Sequence, residues 1–292
     1  MHRLSHSGLS AIERCPYRLI LQIKHQGHAD YSAFNLHKLN TIPGTAIHQA
    51  IEEFLNIWKD DSSISPQVSE LFERATSIIN SIWKDRQNLI LEYIHSIELE
   101  EGRNFHSEQL RTVRGMCMRF CRIWNDNGFQ DMDYVSHEKR DSHQFGEDIE
   151  LIGEIDLLVK DEQGIYYVLD WKSGLPPRTP LGRSQLGIYG FLTHSVHDVP
   201  YANIRCAFVS LKEGSCVIRE FREQRDLKLL NNRLDRVIET LNSYDTGQYQ
   251  DYEWAVPTEQ NCIGCPYSHK CEFRFIPEPH SQVTPEPADA LH

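Results

Sequence analysis

The segment LIGEIDLLVKDEQGIYYVLDWKSG, residues 151–174, can fold in few ways. Two short apolar runs flank the polar stretch KDEQG, and runs of this length bounded by turn residues read as strands. A three-residue loop, Glu162-Gln163-Gly164, joins them as a hairpin, with Gly164 in the left-handed position such loops need. Asp161 then pairs with Ile165, and counting back places Asp156 opposite Asp170. Side chains alternate along a strand. Glu154 and Asp156 therefore share one face of the first strand, and Asp170 and Lys172 share one face of the second. Facing carboxylates repel, and the arrangement is tolerable around a divalent cation. Oxygen ligands with open positions suit Mg2+ or Mn2+. Lys172 beside them could orient or deprotonate a water, or stabilise charge on a phosphate. Metal, water and lysine together make a site able to hydrolyse a phosphodiester. A solvent-facing hairpin with ordinary surface charges is the other reading of the same residues.

The rest of the chain supplies helices before the hairpin and a mixed pattern after it. Ser10-x-x-Glu13 reads as a capping box for a short first helix, and residues 26–43 read as loop. GTAIHQAIEEFLNIW has Ile47, Ile51, Phe54, Leu55 and Trp58 at helical spacing. Helices are also expected from Pro66 to about Glu100 and over about 105–126, the latter carrying Arg111, Arg114, Arg119 and Arg122. After Asp131 the period becomes two. Strands are expected at about 133–138, 149–159, 165–172, 203–211 and 215–221, with helices at about 183–195 and 223–243. This order predicts an α/β fold: a mixed central β-sheet flanked by helices, with an N-terminal helical insertion at about 60–130. We expect one domain over residues 1–276, a sheet core at 133–222, a cysteine region at 254–274 and a disordered tail at 277–292.

Composition narrows the setting. The net charge of −12 provides no overall basic field for coating nucleic acid, although a local basic groove with bound cations can still hold a phosphate backbone. No apolar run reaches the roughly 18 residues of a membrane span. The N-terminus lacks the apolar core of a signal peptide, which predicts a cytoplasmic protein without a membrane partner. Eight cysteines in that compartment read as core residues or metal ligands rather than disulfides. No G-x-x-x-x-G-K-[ST] phosphate loop occurs, so coupling to unwinding would need a partner.

Taken alone, His48 on its helix reads as a surface or core histidine. Gln185 and Tyr189, one helical turn apart, read as packing residues. Together with the hairpin they form a pattern. G-x-x-D (Gly153 to Asp156) followed by D-x-K (Asp170 to Lys172) resembles the core motif of the PD-(D/E)xK nuclease superfamily, and VLDWKSGLPP resembles its RecB/AddB-type branch. GTAIHQAIEEF resembles the histidine motif of that branch, QLGIY its Q-x-x-x-Y motif, and LSHSGLSAIERCPYRL its N-terminal segment. These matches run in the family's order from residue 4 to 271. The resemblance implies a restriction-endonuclease-like core and a metal-dependent DNA nuclease. His48, Asp156, Asp170 and the backbone carbonyl of Trp171 would hold Mg2+ or Mn2+, Lys172 would help activate water, and Gln185 and Tyr189 would position the site or touch DNA. Arg178 and Arg183 could contact phosphates, and Glu138 and Glu154 are weaker candidates. The branch implies exonuclease action on single-stranded or end-containing DNA. A CRISPR-associated nuclease working with adaptation proteins, or an inactive DNA-binding scaffold for a helicase, are the competing readings.

Cys262-x2-Cys265-x5-Cys271 has metal-ligand spacing but supplies only three thiolates. Ligand identity alone leaves zinc, an iron–sulfur cluster and plain buried thiols open. In the iron–sulfur branch of RecB/AddB-like nucleases, one N-terminal and three C-terminal cysteines hold a 4Fe–4S cluster. That resemblance implies Cys15 as the fourth ligand and a staple between the two ends of the chain. Cys117, Cys121, Cys206 and Cys216 read as core residues.

Overall fold

The computed structural model describes residues 2–24, 41–85, 99–145, 149–175, 177, 180–247, 254–262 and 265–275. The chain divides into two compact units, Met1–Ser10 with Asn35–Leu241, and Ala11–Phe34 with Asn242–His292. The tail expected beyond residue 276 lies outside the described residues, as do Arg178 and most of the 26–43 loop. Among the described residues no helix is long and apolar enough to cross a membrane.

The elements in chain order are β1 (His2–Leu4), α1 (His6–Arg14), α2 (Tyr17–Lys24), α3 (Ile42–Trp58), α4 (Val68–Asp85), α5 (Leu99–Asp126), β2 (Asp133–Ser136), β3 (Lys139–Phe145), β4 (Ile149–Ile155), β5 (Leu157–Lys160), β6 (Tyr166–Lys172), α6 (Pro180–His197), β7 (Ile204–Ser210), β8 (Ser215–Glu220), α7 (Glu223–Asp245) and the single turn α8 (Glu259–Cys262). Short 3-10 turns at Phe129–Asp131 and Tyr201–Asn203 lead into β2 and β7.

The first unit is built on two sheets, β2-β5-β6-β7-β8 and β1-β4-β3. The β5–β6 hairpin has the expected register: Lys160 pairs with Tyr166, and the ladder runs to Leu157 opposite Leu169. Gly164 takes φ +77°. Asp161 holds the loop by accepting the Gln163 and Ile165 amides, each at 2.9 Å. The strand expected over 149–159 is two strands in different sheets. The chain bends at Asp156, whose Oδ2 accepts the Trp171 amide at 2.6 Å. This side-chain bond replaces the next ladder rung, so the backbone is free to leave one sheet for the other.

The structure adds two strands and moves the start of one helix. Strand β3 was not apparent because its sequence, KRDSHQF, turns mostly polar side chains outward and buries Asp141. Strand β1, three residues long, pairs in parallel with β4. Helix α1 starts four residues before Ser10, and Ser5 is its cap: the Ser5 hydroxyl accepts the Gly8 amide at 3.2 Å.

Strands β6 and β7 are parallel, a pairing that needs a long crossover, and α6 supplies it. One face of the five-stranded sheet buries Leu157, Val159, Leu169, Trp171, Ala207 and Val209 against α3, α4 and α5. Edge-to-face aromatic pairs join these layers, including Phe120 with Trp171 at 5.3 Å and Trp58 with Trp124 at 5.0 Å. Strand alternation turns Val168, Asp170 and Lys172 to the opposite face. There α6 packs, as the Cys206 thiol donating to the Leu186 carbonyl shows. The sequence places apolar and ionisable residues in strict alternation at the end of β6, and the fold uses one set as core and the other as a site.

Arg119 and Arg122 on α5 are tied into the fold. They donate to the carbonyls of Leu211 (3.0 Å) and Gly214 (2.8 Å) in the β7–β8 turn. Arg114 lies over the Phe72 ring at 5.9 Å.

Candidate functional site

Four elements of the first unit bring ionisable groups together. The β4–β5 bend carries Asp156, the end of β6 carries Asp170 and Lys172, α3 carries His48, and the β2–β3 turn carries Glu138. Ligand atoms of His48, Glu138 and Asp156 all lie within 4.8 Å of one another. Lys172 Nζ stands 2.5 Å from Asp170 Oδ2, and Gln185 Nε2 donates to Asp170 Oδ1 at 3.0 Å and to the Tyr189 hydroxyl at 2.9 Å. Asp170 thus faces the lysine and α6, and Glu138 joins His48 and Asp156.

Two glycines allow the approach. A Cβ on Gly44, in the first turn of α3, would lie 2.5 Å from Ser173 Oγ, so glycine there lets the His48 helix sit against the end of β6. A Cβ on Gly153 would lie 2.6 Å from Leu192 and 3.0 Å from two carbons of the Tyr189 ring. The glycine of the G-x-x-D pattern is therefore a packing requirement of β4 against α6. Gly153→Ala should destabilise the fold by about 1–3 kcal/mol through overpacking. It should also disturb Tyr189 and its bond from Gln185. Thermal unfolding of the variant against the parent chain checks this.

Electrostatics define the site further. Burial, then the Lys172 charge, lowers the His48 pKa to about 4, so the imidazole is neutral and keeps a lone pair for a ligand. Asp156 is raised well above the usual carboxylate range by burial, then by Asp170 and Glu138. Burial also raises Asp170, although Lys172 opposes it. Glu138 is pushed up to about 7 by burial first, then by Glu154 and Glu52, and it shares a hydrogen bond with Glu154. Its backbone has φ +44°, a conformation uncommon for a residue other than glycine and one that concentrates at functional sites. Burial, then Asp170, raises Tyr189, which keeps its phenolic proton. Several carboxylates thus crowd around one ammonium group and a neutral imidazole. The deficit of positive charge and the oxygen-rich donor set fit a hard divalent cation.

Glu138 carried little weight in the sequence. It stands among charged and polar residues, and its place next to Asp156 depends on β3 and on the bend at Asp156. The one signal was position: it falls where the strand beginning at Asp133 ends. The side chain of Arg183 lies outside the described residues.

The second unit holds the four cysteines of the metal-ligand pattern. Tyr17, Ile20, Leu21, Trp254 and Tyr267 form a buried apolar cluster in it, with Cys15, Cys265 and Cys271 packed against them. Cys262 Sγ accepts the Phe275 amide at 3.3 Å. Cys265 accepts the Tyr267 amide and Cys271 the Phe273 amide. Burial first raises the pKa of both thiols, and the charges of Cys15 and Cys262 raise it further. Amides aimed at sulfur favour thiolates, and mutually repelling thiolates fit a metal or metal–sulfur group among them. The remaining cysteines are apolar packing: burial pushes Cys117 and Cys206 up to about 12 and Cys121 and Cys216 up to about 11.

Comparison with known proteins follows the same lines. A family model described as the PD-(D/E)XK nuclease superfamily matches residues 3–272. No curated protein matches the chain. A solved structure described as "Crystal structure of SSO0001" is similar at 12% identity and a TM-score of 0.30, covering 64% of this chain and 82% of that one.

Proposed function

This chain belongs to the PD-(D/E)XK nuclease superfamily, and from that premise we propose that it is a Mg2+- or Mn2+-dependent deoxyribonuclease of the RecB type that degrades DNA from ends. The observation that carries the reading is the meeting of His48, Glu138 and Asp156 within 4.8 Å beside the Asp170–Lys172 ion pair.

Asp156, Asp170, His48 and the Trp171 carbonyl, joined by Glu138, would hold the cation. Bound there, it would supply Lewis-acid stabilisation of charge on the phosphate and lower the pKa of water. The other roles belong to the chain itself. His48, neutral above about pH 4, offers a lone pair at neutral pH without competing for a proton. Lys172, held by Asp170 on the polar face of β6, orients the attacking water and places positive charge beside the phosphate. Gln185 fixes the second oxygen of Asp170, which sets the direction of the carboxylate. Tyr189 stays protonated, so its hydroxyl remains a donor toward substrate. Trp171 locks the strand by burying its ring against Phe120 while its amide holds Asp156.

In the second unit, we propose that Cys15, Cys262, Cys265 and Cys271 hold a 4Fe–4S cluster, whose contribution would be a structural cross-link. The amide-to-sulfur bonds support a metal at the thiols, and iron, sulfide and zinc contents of anaerobically purified protein separate the cluster from a zinc site.

The functional test uses end-labelled single-stranded DNA and a covalently closed circle, with Mg2+ or Mn2+. Wild type should degrade the linear strand and spare the circle, and Lys172→Ala should lose about 10²–10⁴-fold in rate. Cutting of the circle would replace the exonuclease with an endonuclease. No cleavage of either substrate with either metal would overturn the catalytic reading.

A further inference from the structure

A cavity of about 370 Å³ opens beside the proposed catalytic residues, lined by Ser5, Ser7, Arg140, Glu154, Gln185 and Tyr189 among others. Cavities of about 300–1,000 Å³ hold small ligands, and this one, at the lower end, has room for one nucleotide. Gln185 and Tyr189 form one side of it and are bonded to each other, and Gln185 also holds Asp170. The cavity therefore borders the centre directly.

Its cationic residue is Arg140, on β3. Arg140 is exposed and, among the described residues, has no hydrogen bond or close ion pair, although its charge also acts on Glu150. Its neighbours account for this. The residue opposite it across the β3–β4 ladder is Glu154, whose carboxylate is engaged with Glu138. The nearby Glu150 is held by Arg3 at 2.6 Å, and the adjacent Lys139 is taken by Asp141 at 3.3 Å. A guanidinium with no hydrogen-bonded partner, in a chain of net charge −12, suits a bidentate oxyanion ligand. The Ser5 and Ser7 hydroxyls, 2.9 Å apart, add neutral polar groups at the same cavity.

We propose that this cavity is a nucleotide subsite next to the scissile phosphate, with Arg140 contacting the backbone phosphate of the DNA strand there. The proposal rests on the nuclease reading above and adds the residue that seats the adjoining nucleotide. A phosphate contact leaves a specific trace: for single strands, each one contributes about 0.7 to the slope of log K against log salt.

The test measures fluorescence anisotropy of a labelled oligothymidylate against full-length protein carrying Lys172→Ala, so that no strand is cut, between about 50 and 200 mM potassium chloride. Adding Arg140→Gln should weaken binding and flatten the slope by about 0.7. Arg225→Gln, at an exposed position on α7, should leave the slope unchanged. With Lys172 intact, Arg140→Gln should raise KM more than it lowers kcat, at an unchanged melting temperature. An unchanged slope for Arg140→Gln, with wild type still cutting DNA, would overturn the subsite and leave the nuclease standing. An equal flattening by Arg225→Gln would overturn it as well, since the effect would then be a general field. Absence of any DNA binding or cleavage by wild type would remove the nuclease reading and the subsite with it.

Discussion

Asp156→Asn should abolish cleavage and at the same time make the metal-free protein more stable. The amide oxygen of asparagine can still accept the Trp171 amide that Asp156 holds at 2.6 Å, so the bend between β4 and β5 is kept. The lost feature is a buried negative charge facing Asp170 and Glu138. Loss of an outer-shell partner at a metal site costs about 10–100-fold, so loss of a direct ligand should exceed about 100-fold in rate. Stability should move the other way. Asp156 has its pKa raised in the folded state above the unfolded value of about 3.9. Such a carboxyl contributes stability that is fully present below the unfolded pKa and lost as pH rises through the folded pKa. Glu138, raised to about 7, extends the same loss up to neutral pH. The gain of the asparagine variant over wild type in chelator should therefore be near zero at about pH 4 and largest above about pH 7. There, removal of a charge crowded by Asp170 and Glu138 and only partly offset by Lys172 is worth about 1–2 kcal/mol, or about 2–8 °C in Tm. Mg2+ or Mn2+ should raise the Tm of wild type and leave that of the variant nearly unchanged. Thermal melts at two pH values, with and without metal, check all of this. A destabilised variant at pH 8 in chelator would mean that the Asp156 charge is already neutralised within the protein, and the cation would lose its electrostatic basis.

The same crowding explains which parts of the site could be read from the sequence. The hairpin was legible because its register depends on a three-residue loop and on strand alternation, both local. Asp156, Asp170 and Lys172 followed from counting. The bend at Asp156 was not legible, because strand alternation alone does not show that the Asp156 side chain, rather than its backbone, takes the Trp171 amide. Glu138 was obscured as well. Its neighbours in space, His48, Glu154 and Asp156, come from α3, β4 and the β4–β5 bend, and β3 resembles a surface loop because the residue it buries is Asp141. The arginines of α5 show the converse. Arg111, Arg114 and Arg122 are exposed, yet Arg119 and Arg122 serve the carbonyls of the β7–β8 turn. A sequence does not reveal which backbone carbonyls lack partners until the turn is built.

Cys265→Ser should have the largest effect on stability. The thiols of the second unit pack on one small buried cluster, Tyr17, Ile20, Leu21, Trp254 and Tyr267, and a small apolar cluster gains most from a staple. Cys15 and Cys262 are 262 − 15 = 247 positions apart. On the chain-entropy model, a cross-link closing a loop of that length is worth about 5 kcal/mol. With the proposed 4Fe–4S cluster at these thiols, the serine variant should lose iron and the visible colour that such a cluster would give. It should become open to proteases within residues 11–24 and 254–275 before the sheet core is cut, because the aromatic and aliphatic cluster of the first unit does not depend on the thiols. Cys216→Ala, at a thiol raised by burial alone, should keep its iron and lose stability only modestly. If Cys265→Ser kept wild-type iron content and protease resistance, the four thiols would be ordinary packing residues, and the second unit would need another source of stability than a metal–sulfur group.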